Sequence, residues 1–215
     1  MSLAVGEERD KSRFTGWQRN LAVAAAIVLI VALAAAAFWW FRPQALHGTE
    51  LVAGDPLPDF TMQASSGERV SLSDFQGKWV MLYFGYTSCP DVCPTTLGDM
   101  AQAYDLLGGR AERVQGIMVS LDPARDTPEK MAAYLSYFEP TFIGMSGEQA
   151  EVNDAAMRYG IFFERRAGAN PNDYFIDHTS SLLLIDPQGR LRVIYPYGVL
   201  PEEIAADVKY LMRRG

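Results

Sequence analysis

The feature that most constrains the fold is the stretch YFGYTSCPDVCPTTL at positions 83–97, which holds the two cysteines of the 215-residue chain, Cys89 and Cys93. Before it, the apolar run KWVMLY between glycines predicts a buried strand. After it, Pro94 suits the first position of a helix that ends at the Gly108–Gly109 pair. The pattern therefore predicts both thiols at a junction where a strand ends and a helix begins.

A strand–helix junction favours negatively charged sulfur, because free N–H groups and the helix dipole stabilise a thiolate there. Helical spacing would place Cys89 and Cys93 on one face, with Cα atoms about 6 Å apart. The pair can then close into a disulfide or bind a metal ion. A purely structural disulfide is the weakest interpretation, since so small a loop adds little chain-entropy stabilisation.

The segment Leu21–Phe41 contains 21 residues without a charge or a proline. As a helix it would be about 31 Å long, which predicts a transmembrane helix. Basic residues are concentrated before it, so the N-terminal segment 1–20 is expected in the cytoplasm. No good signal-peptidase site follows the span. We therefore expect a retained anchor, a tether at 42–52 and an extracytoplasmic domain at 53–215.

The charge of the chain after its first twenty residues is acidic, with 15 Lys and Arg against 23 Asp and Glu. Such a domain repels phosphate backbones, so nucleic acid is not expected as a partner. Outside the cytoplasm a close cysteine pair oxidises to a disulfide unless a reductant is present. A metal-binding role would therefore require a thiol reductant nearby.

The remaining pattern predicts a hairpin at 59–72, a βαβα segment through 78–138, a short strand with a helix, and a final ββα unit. Strand, helix, strand, helix implies parallel pairing by right-handed crossover. This order predicts an α/β thioredoxin-like fold with a peroxiredoxin-like elaboration. Helices are expected on both faces of a mixed sheet, with the reactive pair at the C-terminal end of a central strand.

His178 is expected between the strand that follows the Gly168–Asp173 loop and the next hairpin, within reach of the sheet end that carries the cysteines. Asp177 could orient the imidazole or cap the loop. A simple hydrogen-bonded histidine at a strand entrance is the alternative. The other histidine, His47, lies just beyond the anchor without such neighbours.

Two thiolates and one imidazole discriminate among metals. Structural zinc generally requires four protein ligands and iron–sulfur clusters require more cysteines, whereas Cu(I) is soft and accepts three sulfur and nitrogen ligands. The inventory of Cys89, Cys93 and His178 therefore favours copper. In LDPARDTP, Asp122 and Asp126 are interpreted as turn and helix-cap residues, with a position at the edge of the site or at a partner as the alternative.

Aromatic residues flank the cysteine pair. Phe84 and Tyr86 are interpreted as core or rim packing that could control solvent access to a metal.

Together, YFGYTSCPDVCPTTL, SLDPARDTP and DHTSSLLLIDPQG resemble the Sco/SenC family of membrane-anchored copper chaperones over about Val52 to Leu211. The resemblance implies a thioredoxin-like fold that binds one copper ion through Cys89, Cys93 and His178, with Cu(I) as the expected ion and Cu(II) as the alternative. It also implies a role in assembling the binuclear copper centre of cytochrome c oxidase subunit II, by delivering copper, by reducing that subunit's cysteines, or both.

The resemblance further implies partners and a location. A copper donor protein and a thiol reductant would act upstream. The protein would be anchored in the bacterial inner membrane with its domain in the periplasm. It would be primarily a metallochaperone, with thiol–disulfide reductase activity as a possible addition.

Three other functions compete. A thiol–disulfide oxidoreductase, reducing the cysteines of a copper-accepting partner, is the main one, although such enzymes typically place two residues between their cysteines, and here there are three. A peroxiredoxin-like peroxidase needs one poised thiol and gives no role to His178. A pure interaction protein would leave the cysteine pair unexplained.

Overall fold

A computed structural model describes residues 8–41, 45–51, 54–168 and 173–214. The chain divides into two compact units, one ending at Ala45 and the other beginning at Leu46. The first unit contains the helix α1 (Glu8–Phe41). Its segment Gly16–Trp39 has a mean hydropathy of 2.9, and none of its most apolar window is buried. In length and composition α1 is therefore a candidate membrane-spanning helix.

The second unit is a mixed α/β domain. Its helices are α2 (Val92–Leu107), α3 (Pro128–Leu135), α4 (Gln149–Arg158) and α5 (Pro201–Arg214). Its strands are β1 (Thr49–Glu50), β2 (Thr61–Ala64), β3 (Arg69–Ser71), β4 (Trp79–Gly85), β5 (Val114–Ser120), β6 (Ile143–Ser146), β7 (Phe163–Ala167), β8 (Tyr174–His178), β9 (Leu182–Ile185) and β10 (Leu191–Tyr195). The hairpin, the central strands and the final ββα unit lie where the sequence predicts them.

Eight strands form one sheet in the order β1-β10-β9-β4-β5-β6-β2-β3. Strands β4, β5 and β6 run parallel, whereas the other pairings are antiparallel. Every residue of β4 and β5 is buried, as expected for strands covered on both faces. Because Gly85 is in register with Ser120, both strands end at the same edge of the sheet. The sheet is therefore mixed, as predicted, and the β4–α2 junction lies at this edge.

Helix α2 begins at Val92, two residues before the predicted start. Pro94 is tolerated inside the first turn because the first four N–H groups of a helix have no intrahelical acceptor. The helix ends at Leu107 and is followed by Gly108 as its C-cap. Gly108 has a φ of 58°, a backbone conformation that glycine adopts without strain. Its buried face includes Cys93, Leu97 and Met100, and α2 packs against α5. Cys93 is thus held by the core.

A second sheet consists of β7 and β8. In its register, Phe163 lies opposite His178 and Ala167 opposite Tyr174. Most of the loop predicted at Gly168–Asp173 falls at 169–172, outside the described residues. His178 is therefore the last residue of a hairpin whose strands, among the described residues, pair only with each other.

The segment around His47 differs from the tether that the sequence predicts. Thr49–Glu50 pairs with β10, and Leu46 packs against the core. The His47 backbone N–H donates to Asp207 Oδ2 at 2.8 Å, and His47 Nδ1 lies 2.8 Å from Asp207 Oδ1. His47 thus lies apart from the cysteines, as predicted, and its partner is Asp207. Asp207 lies 160 residues away, so no local pattern could indicate the contact.

Candidate metal centre

The cysteine pair lies in the loop and first helical turn that follow β4. Cys89 is partly buried, whereas Cys93 is fully buried at 0% exposure, and both are free thiols. The Cys93 backbone N–H donates to Cys89 Sγ at 3.4 Å. A free N–H group of the helix N-terminus thus points at a sulfur, which is the geometry that favours thiolate.

His178 completes a compact group with the two cysteines. Its Nε2 lies 3.4 Å from Cys93 Sγ, and the three potential ligand atoms all lie within 4.8 Å of one another. His178 Nδ1 lies 3.0 Å from the Thr179 carbonyl oxygen, a contact that favours the tautomer with its proton on Nδ1. In that tautomer the lone pair of Nε2 faces the sulfurs. The three residues singled out in the sequence therefore meet in the fold.

Two tyrosines surround the imidazole. The rings of Tyr83 and Tyr86 each meet the His178 ring edge-on, with centroids 6.1 Å and 6.0 Å away. The Tyr83 hydroxyl donates to Cys93 Sγ at 3.5 Å, and the Tyr86 hydroxyl accepts the Ile176 N–H at 3.2 Å. Both tyrosines are buried, so Tyr86 is a packing residue as predicted. Their polar contacts were not apparent from the sequence, since a tyrosine in or next to a buried strand usually indicates core packing.

Asp177 does not orient the imidazole. Its carboxylate accepts a hydrogen bond from Arg166 Nε at 3.0 Å on the exposed face of the hairpin. Alternation along β8 explains this, because neighbouring side chains of a strand point to opposite sides. The Thr179 carbonyl provides the contact with the ring instead.

The two thiols differ sharply in acidity. The hydrogen bond with Cys93 lowers the pKa of Cys89 to about 3, with further help from His178 and backbone N–H groups and against the effect of burial. The hydrogen bond to Cys89 and burial raise the pKa of Cys93. The pair thus holds one proton, carried by the Cys93 thiol and shared with the Cys89 thiolate. Burial also raises the pKa of Tyr83, so its hydroxyl stays a donor.

Asp126 holds the cysteine loop. Its buried carboxylate accepts hydrogen bonds from the Thr87 N–H at 3.0 Å, the Thr87 hydroxyl at 2.5 Å and the Ser120 hydroxyl at 2.7 Å. The helix-cap interpretation of Asp126 is wrong, because Thr127 caps α3 by accepting the Lys130 N–H. The alternative, a position at the edge of the site, is the one the structure shows.

Asp122 begins the turn between β5 and α3, as the sequence predicts, and its carbonyl accepts the N–H groups of Arg125 and Asp126. Its carboxylate has a further set of contacts, with the Arg125 guanidinium and, at 2.6 Å, with the Tyr174 hydroxyl. No local pattern in the sequence indicates this contact with β8.

The arrangement suits a soft ion. An open cleft on the hairpin is lined by Phe162, Phe163, Glu164, Asp177, His178 and Thr179, and it reaches the group at His178. Two sulfurs and one nitrogen are fewer donors than structural zinc generally takes, and they match the preference of Cu(I). Among the described residues no other group of His, Cys, Asp and Glu could hold a metal ion in this way.

The fold and the site define a class, namely an α/β domain with a Cys-Cys-His group at the C-terminal end of a central strand. A family model described as SCO1/SenC matches residues 50–213. The chain therefore belongs to the SCO1/SenC family, which confirms the resemblance noted in the sequence.

Two curated relatives are similar over most of the domain. Protein sco1 of Schizosaccharomyces pombe is 34% identical over 160 residues, which cover 72% of this chain and 61% of the relative. The mitochondrial SCO1 homolog of Homo sapiens is 34% identical over 156 residues, which cover 72% of this chain and 52% of the relative. The chain thus spans between about half and three fifths of the length of these relatives.

Solved structures confirm the fold. ScoI of Bradyrhizobium japonicum, solved with copper bound, superposes with a TM-score of 0.67 at 36% identity and covers 72% of this chain and 98% of that one. The thioredoxin domain of a thiol-disulfide oxidoreductase from Bacteroides vulgatus superposes with a TM-score of 0.53 at 19% identity and covers 75% of this chain and 98% of that one, which bears on the fold alone. The predicted thioredoxin-like α/β fold is therefore confirmed.

Proposed function

We propose that this protein is a copper chaperone that binds one Cu(I) ion through Cys89, Cys93 and His178. The observation that carries the proposal is the convergence of two sulfurs and one imidazole nitrogen within 4.8 Å. Family membership and the copper-bound structure of the similar ScoI support copper as the ion. Cu(II), a harder ion, would be a second and weaker cargo of the same three residues.

Loading follows from the unequal thiols. The Cys89 thiolate is already deprotonated and partly accessible, so it is the first ligand that an incoming Cu(I) meets. The buried Cys93 thiol then loses its proton as its sulfur joins the ion, and one proton is released for each copper bound. His178 Nε2 supplies the third ligand.

Unloading would begin with the ligand that binds last. Thiolates of an accepting protein attack the ion from the open side, and His178 departs first because it lies at the end of a separate hairpin. Cys93, which is held in the core, departs last. Each exchange replaces one protein ligand by one partner ligand, so the ion is never free.

The cellular role follows the family. The acceptor would be cytochrome c oxidase subunit II, whose binuclear copper centre the protein helps to assemble, and a copper donor protein and a thiol reductant would act before it. Helix α1 would span the bacterial inner membrane with residues 1–20 in the cytoplasm, a span at 21–41 and the folded domain in the periplasm. The short connection would end near Leu46, where the compact unit begins.

Reduction of the acceptor's cysteines is the second candidate for the same pair. Cys89 is a partly accessible thiolate, which is the form of cysteine that attacks a disulfide. Copper binding is the better-supported function, because the three potential ligand atoms converge within 4.8 Å and the similar ScoI was solved with copper bound.

The test is a titration of the full chain in detergent with Cu(I) against a calibrated chelator, without oxygen. Wild type should bind one ion, and Cys93→Ser should bind it more than about 100-fold more weakly, since loss of an outer contact alone costs 10–100-fold. X-ray absorption should count two sulfurs and one nitrogen. His178→Ala should lose the nitrogen, whereas His47→Ala, which changes the other histidine, should not. Wild-type affinity in Cys93→Ser would refute the assignment.

A further inference from the structure

The position of His178 depends on how a separate hairpin is attached. Among the described residues, β7 and β8 pair only with each other and not with the eight-stranded sheet. A two-stranded sheet is at best marginally stable alone. The hairpin must therefore be fixed by side-chain contacts with the rest of the domain.

Alternate residues of β8 provide these contacts. Tyr174, Ile176 and His178 are at least partly buried, whereas Phe175 and Asp177 are exposed. Residues two apart in a strand point to the same side, so the three former side chains face the domain. The strand rises about 3.3 Å per residue, which places Tyr174 about 13 Å from His178. The two residues thus lie at opposite ends of the same strand.

At the Tyr174 end, the strand is bound to the turn between β5 and α3. The Tyr174 hydroxyl donates to Asp122 Oδ1 at 2.6 Å, and Arg125 Nη1 donates to the Tyr174 carbonyl oxygen at 3.3 Å. The Arg125 guanidinium lies 3.7 Å from the centre of the Tyr174 ring and also forms an ion pair with Asp122. The contacts form a closed set of three residues.

The charge of Asp122 makes these contacts depend on the docked position of the hairpin. Its side chain has 0% exposure, and a buried carboxylate without partners is strongly unfavourable. The hairpin supplies two of its partners, namely the Tyr174 hydroxyl and, at 3.9 Å, Arg165 of β7. Detaching the hairpin would leave the carboxylate with Arg125 alone.

Between the two ends, the Ile176 N–H donates to the Tyr86 hydroxyl at 3.2 Å, across the boundary between the hairpin and the main sheet. The Tyr86 ring in turn contacts the His178 ring. A shift of the strand at Tyr174 would therefore also displace Ile176 and His178.

We propose that Tyr174 and Asp122 are positioning residues, whose hydrogen bond, together with Arg125, latches the β7–β8 hairpin so that His178 stays beside the cysteines. Opening the latch withdraws His178 and leaves Cys89 and Cys93 in place. The consequence for copper rests on the proposed function, whereas the docking of the hairpin does not.

The docking is tested on the copper-free full chain by hydrogen–deuterium exchange with residue-level resolution. Tyr174→Phe removes only the hydroxyl, and we expect the Ile176 amide to exchange at least about tenfold faster, since opening governs exchange. Asp122→Asn should act in the same direction. Tyr137→Phe, the same change at a residue that is 85% exposed, should leave Ile176 unchanged. Wild-type exchange of Ile176 in Tyr174→Phe would overturn the proposal.

The effect on His178 is tested by Cu(I) titration and X-ray absorption. In Tyr174→Phe, the copper ion should lose its nitrogen neighbour, and Cu(I) binding should weaken as it does in His178→Ala. The double variant should bind Cu(I) no more weakly than His178→Ala, because both changes remove the same contribution, that of the His178 imidazole. If the Ile176 amide exchanged faster in Tyr174→Phe while this variant kept its nitrogen neighbour and its Cu(I) affinity, the proposal would be overturned. If wild type bound no Cu(I), the proposed function would fail, and Ile176 exchange alone would decide the latch.

Discussion

Cys89 and Cys93 are chemically unequal although three residues separate them. Cys89 receives the Cys93 N–H on its sulfur and is partly accessible, while Cys93 is buried and receives the Tyr83 hydroxyl. Cys93 therefore keeps the proton of the copper-free pair, and Cys89 is the nucleophile.

This difference predicts how alkylation depends on pH. The pKa of Cys89, about 3, lies below the range of pH 5 to 8, so its thiolate is fully present there and is lost only in stronger acid. Its alkylation rate with iodoacetamide should be nearly constant across this range, whereas a thiol with an ordinary pKa of about 8.5 gains about tenfold per pH unit. Peptide mass spectrometry of the copper-free protein measures the rate.

The matched variant is Cys93→Ala, which removes the hydrogen bond that most lowers the pKa of Cys89. Its Cys89 should regain a pH-dependent rate. A tenfold rise per pH unit in the wild-type protein would contradict the division of the proton.

Among the elements, the turn between β5 and α3 organises the site. Asp126 holds the cysteine loop through Thr87, and Asp122 holds the histidine hairpin through Tyr174. One turn thus fixes both parts of a group whose members lie 85 residues apart in sequence.

Removing Asp126 should therefore destabilise the domain. Asp126→Ala leaves the Thr87 N–H and two hydroxyls without their acceptor, and we expect a loss of about 3 kcal/mol in the free energy of unfolding. Urea denaturation followed by circular dichroism gives this value. Asp154→Ala, at a half-exposed carboxylate paired with Arg158, should change it by less than about 0.5 kcal/mol. Equal effects of the two variants would contradict the role of Asp126.

At the scale of the whole molecule, the first residues of the folded domain contact its last helix, α5. His47 bonds to the fully buried Asp207 of α5, and β1 adds to the edge of the sheet at β10. The start of the folded domain is therefore held against its last helix by these contacts.

The His47–Asp207 contact should make stability depend on pH. The hydrogen bond to Asp207 raises the pKa of His47 above its usual 6.5, so the folded state holds the imidazole proton more tightly than the unfolded state. The stabilisation is complete below the unfolded pKa and is lost as pH rises through the folded one. Wild type should therefore exceed His47→Gln in unfolding free energy most near pH 5.5 and least near pH 8.5. A larger difference near pH 8.5 would contradict the assignment.

Local patterns predicted most of the fold. The run of apolar residues before Cys89 specified β4, and the pattern of glycine, proline and turn residues located the hairpins and the helix ends. The spacing of the cysteines and the ligand inventory specified the candidate site. What the sequence did not indicate were contacts between distant positions, such as Tyr174 with Asp122 or His47 with Asp207, because neither partner carries a local signature of the other. The separate β7–β8 sheet was also difficult to predict from a local pattern. Its strand β7, FERRA, is largely exposed, and its apolar and polar residues alternate only weakly.

The complete burial of Cys93 restricts how cargo is exchanged. In the proposed function, an ion bound to Cys93 would be reached from the side of Cys89 and His178, so a copper donor and a copper acceptor would have to occupy the same surface in turn. The two would not attach to one molecule simultaneously. Transfer would then proceed as two successive binary encounters, and an excess of unloaded donor should slow delivery by competing with the acceptor.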